Sequence, residues 1–227
     1  MLIDVIIPAF NEEQSVGKVV STIPRDLVTE VVVADNNSTD RTAEIAREAG
    51  ATVLPAPRQG YGSACLVGIA HINQKAMPPD IVVFMDADYS DHPEQLKDIV
   101  APILAGEMDM VIGSRALGAR EKGSMAPQQI FGNWLATRMM RVLYGVSFTD
   151  LGPFRAITLE ALNALEMKDK DYGWTVEMQV KAAKQKLRFT EVPVDYRKRI
   201  GKSKIAGTVK GTILAGYKII TTILKYS

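Results

Sequence analysis

Residues 80–91, DIVVFMDADYSD, give the clearest indication of the fold of this chain. The segment 80–85, apolar from Ile81 onward, predicts a buried strand, and Asp86 and Asp88 follow it directly. A strand that is apolar throughout is typical of a parallel sheet covered by helices on both faces. Ligands of such sheets bind beyond the carboxyl ends of the strands, so we expect these two carboxylates to face a ligand.

Strand-like and helix-like segments alternate on both sides of this stretch. The predicted strands lie at residues 2–7, 30–34, 52–54, 80–85, 108–113, 154–158 and 187–194. The predicted helices lie at residues 12–22, 42–49, 63–73, 93–104, 128–144, 174–184 and 205–224. This alternation predicts one continuous α/β domain over residues 1–227, with a Rossmann-like, mostly parallel central sheet flanked by helices and a helical C-terminal portion.

The amino-acid composition excludes several classes of protein for this chain. The 227 residues are 47% hydrophobic, which fits a domain with a sizeable core and excludes a disordered chain. The single cysteine, Cys65, excludes a disulfide scaffold and favours a reducing compartment. The N-terminus lacks the basic lead of a signal peptide, and no apolar window of about 18 residues predicts a membrane span. We therefore expect a cytoplasmic protein without a transmembrane helix.

The net charge of +1 conceals an uneven distribution. Residues 181–227 contain twelve Lys or Arg but only two acids, so this segment carries +10 and residues 1–180 carry −9. A basic segment favours an anionic partner, and phosphate groups, a membrane surface and nucleic acid all qualify. A solvated basic face is the alternative.

Polar residues also follow the first two strands. The segment 8–12, PAFNE, follows the first, and Asp35 and Asn36 follow the second. A carboxylate such as Asp35 can accept hydrogen bonds from a nucleobase or a ribose, although an Asx turn is the alternative. Arg58 and Gly60 precede a predicted helix whose N-terminal N–H groups can approach a phosphate or a base. The chain lacks GxxxxGK[ST] and lacks GxGxxG after its first strand, which argues against a P-loop and against a dinucleotide-binding dehydrogenase.

Asp86 and Asp88 form the clearest candidate for metal binding. Two carboxylates separated by one residue can share Mg²⁺ or Mn²⁺, cations that are commonly held by one or two carboxylates together with substrate phosphates. The alternative is an ordinary turn in which an acid caps the next helix. Ser90 and Asp91 are also available for that capping.

Seven segments, in this order, resemble family 2 glycosyltransferases. They are IIPAFNEE (6–13), VVVADNNSTDRT (31–42), RQGYGSA (58–64), VVFMDADYSDHPE (82–94), VIGSR (111–115), DLGPFRAI (150–157) and EVPVDYRKRIGKSK (191–204). Within the family, the chain is most similar to the dolichol-phosphate mannose and glucose synthase-like group. The resemblance implies the GT-A fold, with a nucleotide-sugar-binding half at 1–115 and an acceptor-binding half with a basic C-terminal segment at 116–227.

The resemblance also implies roles for individual residues. The nucleotide sugar is expected to contact Pro8, Phe10, Asn11, Glu12, Asp35, Asn36, Arg58, Gly60, Asp86, Ala87, Asp88 and Arg115. A divalent metal, Mg²⁺ or Mn²⁺, is expected on Asp86 and Asp88. The residues expected to take part in catalysis are Asp88, Asp150, Arg155, Arg199 and Lys202. Lys204 is expected to join Arg199 and Lys202 in a basic loop over the diphosphate.

The implied reaction inverts the anomeric carbon in one displacement. A UDP-sugar is the favoured donor and GDP-mannose the alternative, and a polyprenyl or dolichyl phosphate is the favoured acceptor. A phosphate oxygen is already anionic, so Arg155, Arg199 and Lys202 would then act as clamps. A sugar hydroxyl would instead need a general base, for which Asp150 and Glu177 are the candidates. Glu177 could equally pair with Lys181 at i,i+4.

Two other classes of protein remain as alternatives. A sugar-phosphate nucleotidyltransferase normally carries a glycine-rich loop after its first strand, where this chain has PAFNE. A non-catalytic nucleotide-sugar-binding module would not need the acidic pair and the basic loop.

The C-terminal segment has two predicted uses. In it, lysines alternate with apolar residues, namely Lys210, Lys218 and Lys225 with Ile213, Leu214, Ile219, Ile220 and Leu224. It could lie on the cytosolic face of an anionic membrane, or pack on the domain or on a second copy in a homodimer. We expect no nucleic acid partner.

Overall fold

The computed structural model of the chain describes residues 1–201 and 209–226, and the side chains of residues 209–212 are outside that description. Seven strands form one sheet. They are β1 (Ile3–Ala9), β2 (Glu30–Asp35), β3 (Thr52–Pro55), β4 (Ile81–Phe84), β5 (Met110–Ser114), β6 (Arg155–Thr158) and β7 (Phe189–Pro193). Helices flank this sheet, so the predicted α/β class is confirmed.

Eight α-helices are found in the described ranges. They are α1 (Val16–Thr22), α2 (Thr42–Glu48), α3 (Tyr61–Asn73), α4 (Leu96–Leu104), α5 (Pro127–Tyr144), α6 (Leu159–Ala164), α7 (Trp174–Lys184) and α8 (Val209–Lys225). A single 3₁₀ turn, Pro93–Gln95, precedes α4. Within the described part of the chain, no helix is long and apolar enough to cross a membrane.

The strand order is β3-β2-β1-β4-β6-β5-β7. Strand β1 pairs in parallel with β2 and β4, and β5 pairs in parallel with β7. Strand β6 is antiparallel to both of its neighbours, β4 and β5. The sheet is therefore mostly parallel, as predicted, and strands from both predicted halves of the chain take part in it.

Alternate residues of the central strands enter two cores on opposite faces of the sheet. On β4, Ile81 and Val83 pack into one apolar cluster, and Val82 and Phe84 pack into the other. All four are at most 1% exposed. A strand buried on both faces needs apolar residues at every position, and this explains the continuous run that the sequence shows.

The helices differ from prediction at several places, of which the start of α1 and the presence of α6 are the largest differences. Helix α1 begins at Val16 and not at residue 12, because Asn11 has a positive φ of 53° and residues 12–15 form a turn. The sequence did not predict α6, a helix of six residues that Thr158 caps through its side chain. The predicted helix at 205–224 is found as α8, while its first four residues lie outside the described ranges.

Candidate active site

A cavity of about 300 Å³ opens at the carboxyl ends of β1, β2 and β4. We call it the strand-end cavity. Its lining is a mixture of apolar, aromatic and charged residues: Pro8, Ala9, Phe10, Glu12, Asn36, Gln59, Gly60, Tyr61, Ala64, Asp86, Ala87, Asp88, Tyr172 and Arg199. It lies at the sheet edge where open parallel sheets bind their ligands.

Asp86 and Asp88 place their carboxylates on the cavity wall, because the strand ends at Phe84 and the chain turns away. Oδ1 of Asp86 is shielded from solvent and has no hydrogen-bond partner. Burial and the negative charge of Asp88 raise the pKa of Asp86 to about 7. Oδ1 of Asp88 accepts a hydrogen bond from the backbone N–H of Ser90 over 2.9 Å. The acidic turn thus presents one carboxylate fixed by a hydrogen bond and another with an unused oxygen.

Asp91 adds a third buried carboxylate behind this turn. It is 2% exposed, and its Oδ2 accepts a long hydrogen bond, 3.4 Å, from the backbone N–H of Asp86. Burial raises its pKa well above the usual value, and the charges of Asp86 and Asp88 add to the shift. The sequence suggested a capping role for Asp91, but no side chain caps the 3₁₀ turn or α4.

Arg199 brings a positive charge from the C-terminal segment into the cavity. Its guanidinium lies 3.0 Å from a carboxylate oxygen of Asp88 and 2.6 Å from one of Glu12. It therefore bridges the ends of β1 and β4, which places the predicted basic residue beside the predicted acidic pair. Lys202 and Lys204, the other basic residues predicted for this loop, lie outside the described residues.

The segment that carries Arg199 is bonded along the acidic turn. The backbone N–H of Ile200 donates to the carbonyl of Asp88 over 2.9 Å, and that of Arg197 donates to the carbonyl of Ser90 over 3.0 Å. The guanidinium of Arg197 lies 3.6 Å from the centre of the Tyr89 ring, a cation–π contact. These contacts fix the segment over the turn.

The acidic pair fits a hard divalent cation that is completed by a phosphate ligand. Asp86 contributes an oxygen without a protein partner, and Asp88 lies one residue away on the same wall. Among the described residues, no group of three or more His, Cys, Asp or Glu side chains could hold a metal ion. Mg²⁺ and Mn²⁺ are commonly held by two carboxylates, with oxygens of substrate and water in the remaining coordination positions.

Asn36 shapes the opposite wall. Its amide nitrogen donates to the carbonyls of Ala56 over 2.9 Å and of Arg58 over 2.7 Å, and its amide oxygen accepts from the N–H of Gly60 over 2.7 Å. All these bonds hold the loop that precedes α3. Asn36 therefore positions the Gly60 end of the cavity.

Four of the residues predicted to contact a nucleotide lie outside the cavity lining, namely Asn11, Asp35, Arg58 and Arg115, the last of which is described in the next paragraph. The Asn11 side chain accepts from the N–H of Thr39 over 2.8 Å. Arg58 is exposed and lies 3.4 Å from Asp171 on the outer surface. Asp35 ends β2 with a buried, unpartnered Oδ1 but does not line the cavity. Their predicted contacts with the nucleotide remain predictions.

Arg115 and Asp150 form a buried pair next to the acidic turn. The guanidinium of Arg115 binds both carboxylate oxygens of Asp150, each over 2.7 Å, and its backbone N–H donates to the same carboxylate over 2.8 Å. Asp150 is 1% exposed. A carboxylate held in this way lines no wall of the cavity, so the structure does not support Asp150 as a general base.

Arg155 occupies a different position from the one predicted. It is fully buried, and its guanidinium donates to the backbone carbonyls of Leu151, Gly152 and Thr175. Burial lowers its pKa to about 10. A cation that uses its donors on backbone carbonyls cannot clamp a phosphate at the same time. The structure thus corrects the predicted clamp to a framework role.

Glu177 is also buried away from the cavity. It lies 2.8 Å from Lys181, the i,i+4 partner that the sequence offered as the alternative to a general base. It also accepts hydrogen bonds from the backbone N–H groups of Lys168 and Asp169. The structure therefore shows the ion pair between Glu177 and Lys181 and not a carboxylate that faces the cavity as a general base would.

Sequence reasoning missed several lining residues, among them Gln59, Tyr61 and Tyr172. Tyr61 lies in the RQGYGSA segment that resembles the family, and its place in that segment could have identified it as a site residue. Burial raises its pKa well above the usual value, and the negative charge of Asp86 adds to the shift. Tyr172 lies in a loop between two helices, far from any strand end in sequence, and carries no local signal.

Residues 4–165 match the family described as Glycosyl transferase family 2. The chain is 35% identical over 214 residues to an uncharacterized glycosyltransferase of Mycobacterium bovis, which covers 94% of each protein. It is 30% identical over 219 residues to the undecaprenyl-phosphate mannosyltransferase of Micrococcus luteus, which covers 91% of this chain and 88% of the relative.

A solved structure shares the fold. It is glucosyl-3-phosphoglycerate synthase of Mycobacterium tuberculosis in complex with Mn²⁺, UDP-glucose and phosphoglyceric acid. The TM-score is 0.79 at 25% identity, and the match covers 99% of this chain and 79% of that one. The fold is the GT-A fold that the sequence predicted. With this fold, with the family match over residues 4–165 and with acids and a cation meeting at the strand ends, the chain belongs to the family 2 glycosyltransferases.

Proposed function

We propose that this glycosyltransferase moves a hexose from a nucleoside diphosphate sugar, with UDP favoured over GDP, to an anionic phosphate acceptor, of which a polyprenyl phosphate is the favoured form. The observation that carries the proposal is the meeting of Asp86, Asp88 and Arg199 on one wall of the strand-end cavity. A diphosphate leaving group requires positive charge beside it, which a metal held by the two acids and the guanidinium of Arg199 would supply.

In this proposal each wall has its own task. Pro8, Phe10 and the loop that Asn36 holds would enclose the base and ribose. Asp86 and Asp88 would hold a divalent cation on the diphosphate, where it would stabilise the charge that develops on the leaving group. Arg199 would keep its contact with Glu12 and exchange its contact with Asp88 for the diphosphate oxygens, since a charged hydrogen bond to phosphate is strong.

The positions of the carboxylates favour an acceptor that is already ionised. The described carboxylates that line the cavity are Glu12, Asp86 and Asp88, and these are taken up by Arg199 and the proposed metal. The two candidates for a general base, Asp150 and Glu177, are buried in ion pairs. A phosphate oxygen needs no base, so positioning and electrostatics suffice. The relatives named above act on undecaprenyl phosphate or bind phosphoglyceric acid, and both carry a phosphate.

The surface of α5 and α8 supports a lipid as the carrier of that phosphate. The two helices pack against each other, and neither contains Asp or Glu. Their exposed apolar residues include Phe131, Trp134, Ile213, Leu214 and Tyr217. Exposed aromatic and aliphatic side chains together with lysines and arginines suit an anionic membrane surface.

The test is a transfer assay with labelled donors. The donors are UDP-glucose, UDP-N-acetylglucosamine and GDP-mannose with Mn²⁺, and the acceptors are undecaprenyl phosphate in vesicles, 3-phosphoglycerate and a free saccharide. We expect transfer to the lipid phosphate, lowered at least about a hundredfold by Asp88→Asn, which removes a charge that stabilises the transition state. Asp26→Asn, at an exposed site outside the cavity, serves as the control with unchanged activity.

Transfer to 3-phosphoglycerate alone would reject the lipid, and the position of the new bond decides the rest: a bond to a phosphate oxygen would keep the anionic acceptor, and a bond to the hydroxyl would contradict it. Transfer only to a saccharide hydroxyl, or release of nucleotide with no transfer to any phosphate, would contradict the proposal.

A further inference from the structure

Residues 168–173, between α6 and α7, form a loop that reaches the strand-end cavity through Tyr172. We call it the 168–173 loop. Its backbone is bonded to the first turn of α3. The N–H of Ser63 donates to the carbonyl of Lys170 over 2.9 Å, and the N–H of Gly62 donates to the carbonyl of Asp171 over 3.3 Å. The loop therefore shares hydrogen bonds with the helix start that forms the Gly60 wall.

The backbones of this loop and of the start of α3 are too close to admit a side chain on Gly60 or Gly62. A Cβ on Gly60 would lie 2.2 Å from the carbonyl oxygen of Lys170, and a Cβ on Gly62 would lie 2.2 Å from that of Asp169. Backbone contacts this close require glycine on the α3 side. A displacement of the loop would consequently move the Gly60 wall as well.

Helix α8 holds the outer side of the 168–173 loop through Lys218. Its ammonium lies 2.9 Å from Oδ2 of Asp169, whose side chain is 7% exposed. Oδ1 of Asp169 accepts hydrogen bonds from the backbone N–H groups of Asp171 over 2.8 Å and of Gly173 over 3.1 Å. A single carboxylate thus shapes the loop and is itself fixed by a lysine of α8.

A second contact from α8 reaches the start of the same loop. The hydroxyl of Tyr226, just after α8, donates to Glu177 over 2.8 Å. The Glu177 carboxylate in turn accepts from the backbone N–H groups of Lys168 over 3.1 Å and Asp169 over 2.6 Å. Two independent chains of contacts therefore run from α8 to the backbone of the loop.

We propose that Lys218 and Tyr226 are positioning residues for the donor side of the cavity. Acting through Asp169 and Glu177, they hold the 168–173 loop in place and with it Tyr172 and the Gly60 wall. This inference deepens the proposed function and rests on it for the identity of the donor. Neither residue lines the strand-end cavity, so each acts through the loop and not by touching the substrate.

A positioning role can be separated from a general contribution to stability. The Lys218 side chain is 39% exposed, and ion pairs this open to solvent contribute little to the stability of the whole fold. Removing the ammonium should therefore loosen the loop while the rest of the domain stays folded. Local loosening appears in amide exchange, which reports opening segment by segment.

The experiment compares Lys218→Met, Lys218→Arg and Tyr226→Phe with the parent protein. Each is titrated calorimetrically with UDP and with GDP in the presence of Mn²⁺, and amide hydrogen exchange is measured on the same samples. We expect Lys218→Met to weaken binding of the preferred nucleotide about fivefold, as the loss of one partly exposed ion pair implies. Exchange should rise at residues 60–64 and 168–173, and the melting temperature should stay nearly constant.

Lys18→Met is the matched control, because it removes the same charge from an exposed position of a different helix, α1. We expect parent-like binding and exchange from this control, and restored binding from Lys218→Arg. Tyr226→Phe removes only a hydroxyl and should reproduce the pattern of Lys218→Met in weaker form.

Parent-like affinity and parent-like exchange in both Lys218→Met and Tyr226→Phe would overturn the inference. So would exchange that rises evenly across the domain, because that result identifies a general loss of stability. If the parent protein binds neither nucleotide, the donor assignment fails, and the exchange pattern at 60–64 and 168–173 still decides the positioning role.

Discussion

Asp86 carries the most unusual ionisation of the proposed metal-binding pair. Burial and the neighbouring charge of Asp88 raise its pKa to about 7, and its Oδ1 has no partner within the protein. A carboxyl group in this state favours the protonated form, so it costs stability once it ionises. Function explains why such a group persists, since a bound cation would supply the missing partner.

The first prediction at the residue scale concerns Asp86→Asn. Because the folded pKa lies above the unfolded value, the folded state holds more protons between about pH 4 and pH 7, and stability falls as pH rises through that window. Asparagine removes this loss. We expect the melting temperature of Asp86→Asn to exceed that of the parent by a few degrees at pH 8 without metal, and the difference to vanish near pH 4.

Differential scanning calorimetry at the two pH values provides the measurement. Asp26→Asn, which removes an exposed acid, should melt like the parent at both values. An Asp86→Asn variant that melts below the parent at pH 8 would show that the carboxylate stabilises the ligand-free fold.

The contact between helix α3 and the 168–173 loop depends on glycine, because a side chain on this part of α3 would collide with the loop backbone. Gly62 lies in the first turn of α3, where an added Cβ would meet the carbonyl oxygen of Asp169 at 2.2 Å. In contrast, a Cβ on Gly132 of α5 would meet nothing within 4 Å. Both glycines thus lie in helices, but Gly62 is tightly packed against the loop and Gly132 faces open space.

At the element scale, we predict opposite effects for the same substitution at these two sites. Gly62→Ala should lower the melting temperature by several degrees, because backbone must shift to admit the methyl group. Gly132→Ala should raise stability by up to about 1 kcal/mol, the helix propensity gain of alanine over glycine. Thermal unfolding of both variants provides the comparison. Equal effects at the two sites would contradict the close contact between α3 and the loop.

Local sequence patterns predict those parts of the molecule that depend on neighbours in the chain. The apolar run before Asp86 predicts both the buried strand and the placement of the acids at its end, and the structure confirms that placement. Arg155 was misplaced because its partners, the carbonyls of Leu151, Gly152 and Thr175, come together only in the folded chain. Tyr172 was missed for the same reason.

At the scale of the whole molecule, the uneven charge distribution acquires a structural meaning. Three acids of the N-terminal half, Glu12, Asp86 and Asp88, line the cavity at the ends of the parallel strands, and Arg199 of the basic segment reaches them across 111 residues of sequence from Asp88. The other notable surface, on α5 and α8, contains exposed apolar residues and no acids. A donor cavity and a separate face suited to a lipid surface are what the proposed reaction needs.

In the proposed function, the strand-end cavity binds a nucleoside diphosphate, with Arg199 on its phosphates. The most direct measurement is calorimetric titration of the parent and of Arg199→Gln with UDP, GDP and uridine in the presence of Mn²⁺. We predict that Arg199→Gln weakens binding of the preferred diphosphate by about tenfold or more, as the loss of a charged hydrogen bond implies, while weak binding of uridine is unchanged. Equal affinity of the parent and Arg199→Gln for both diphosphates would contradict the account.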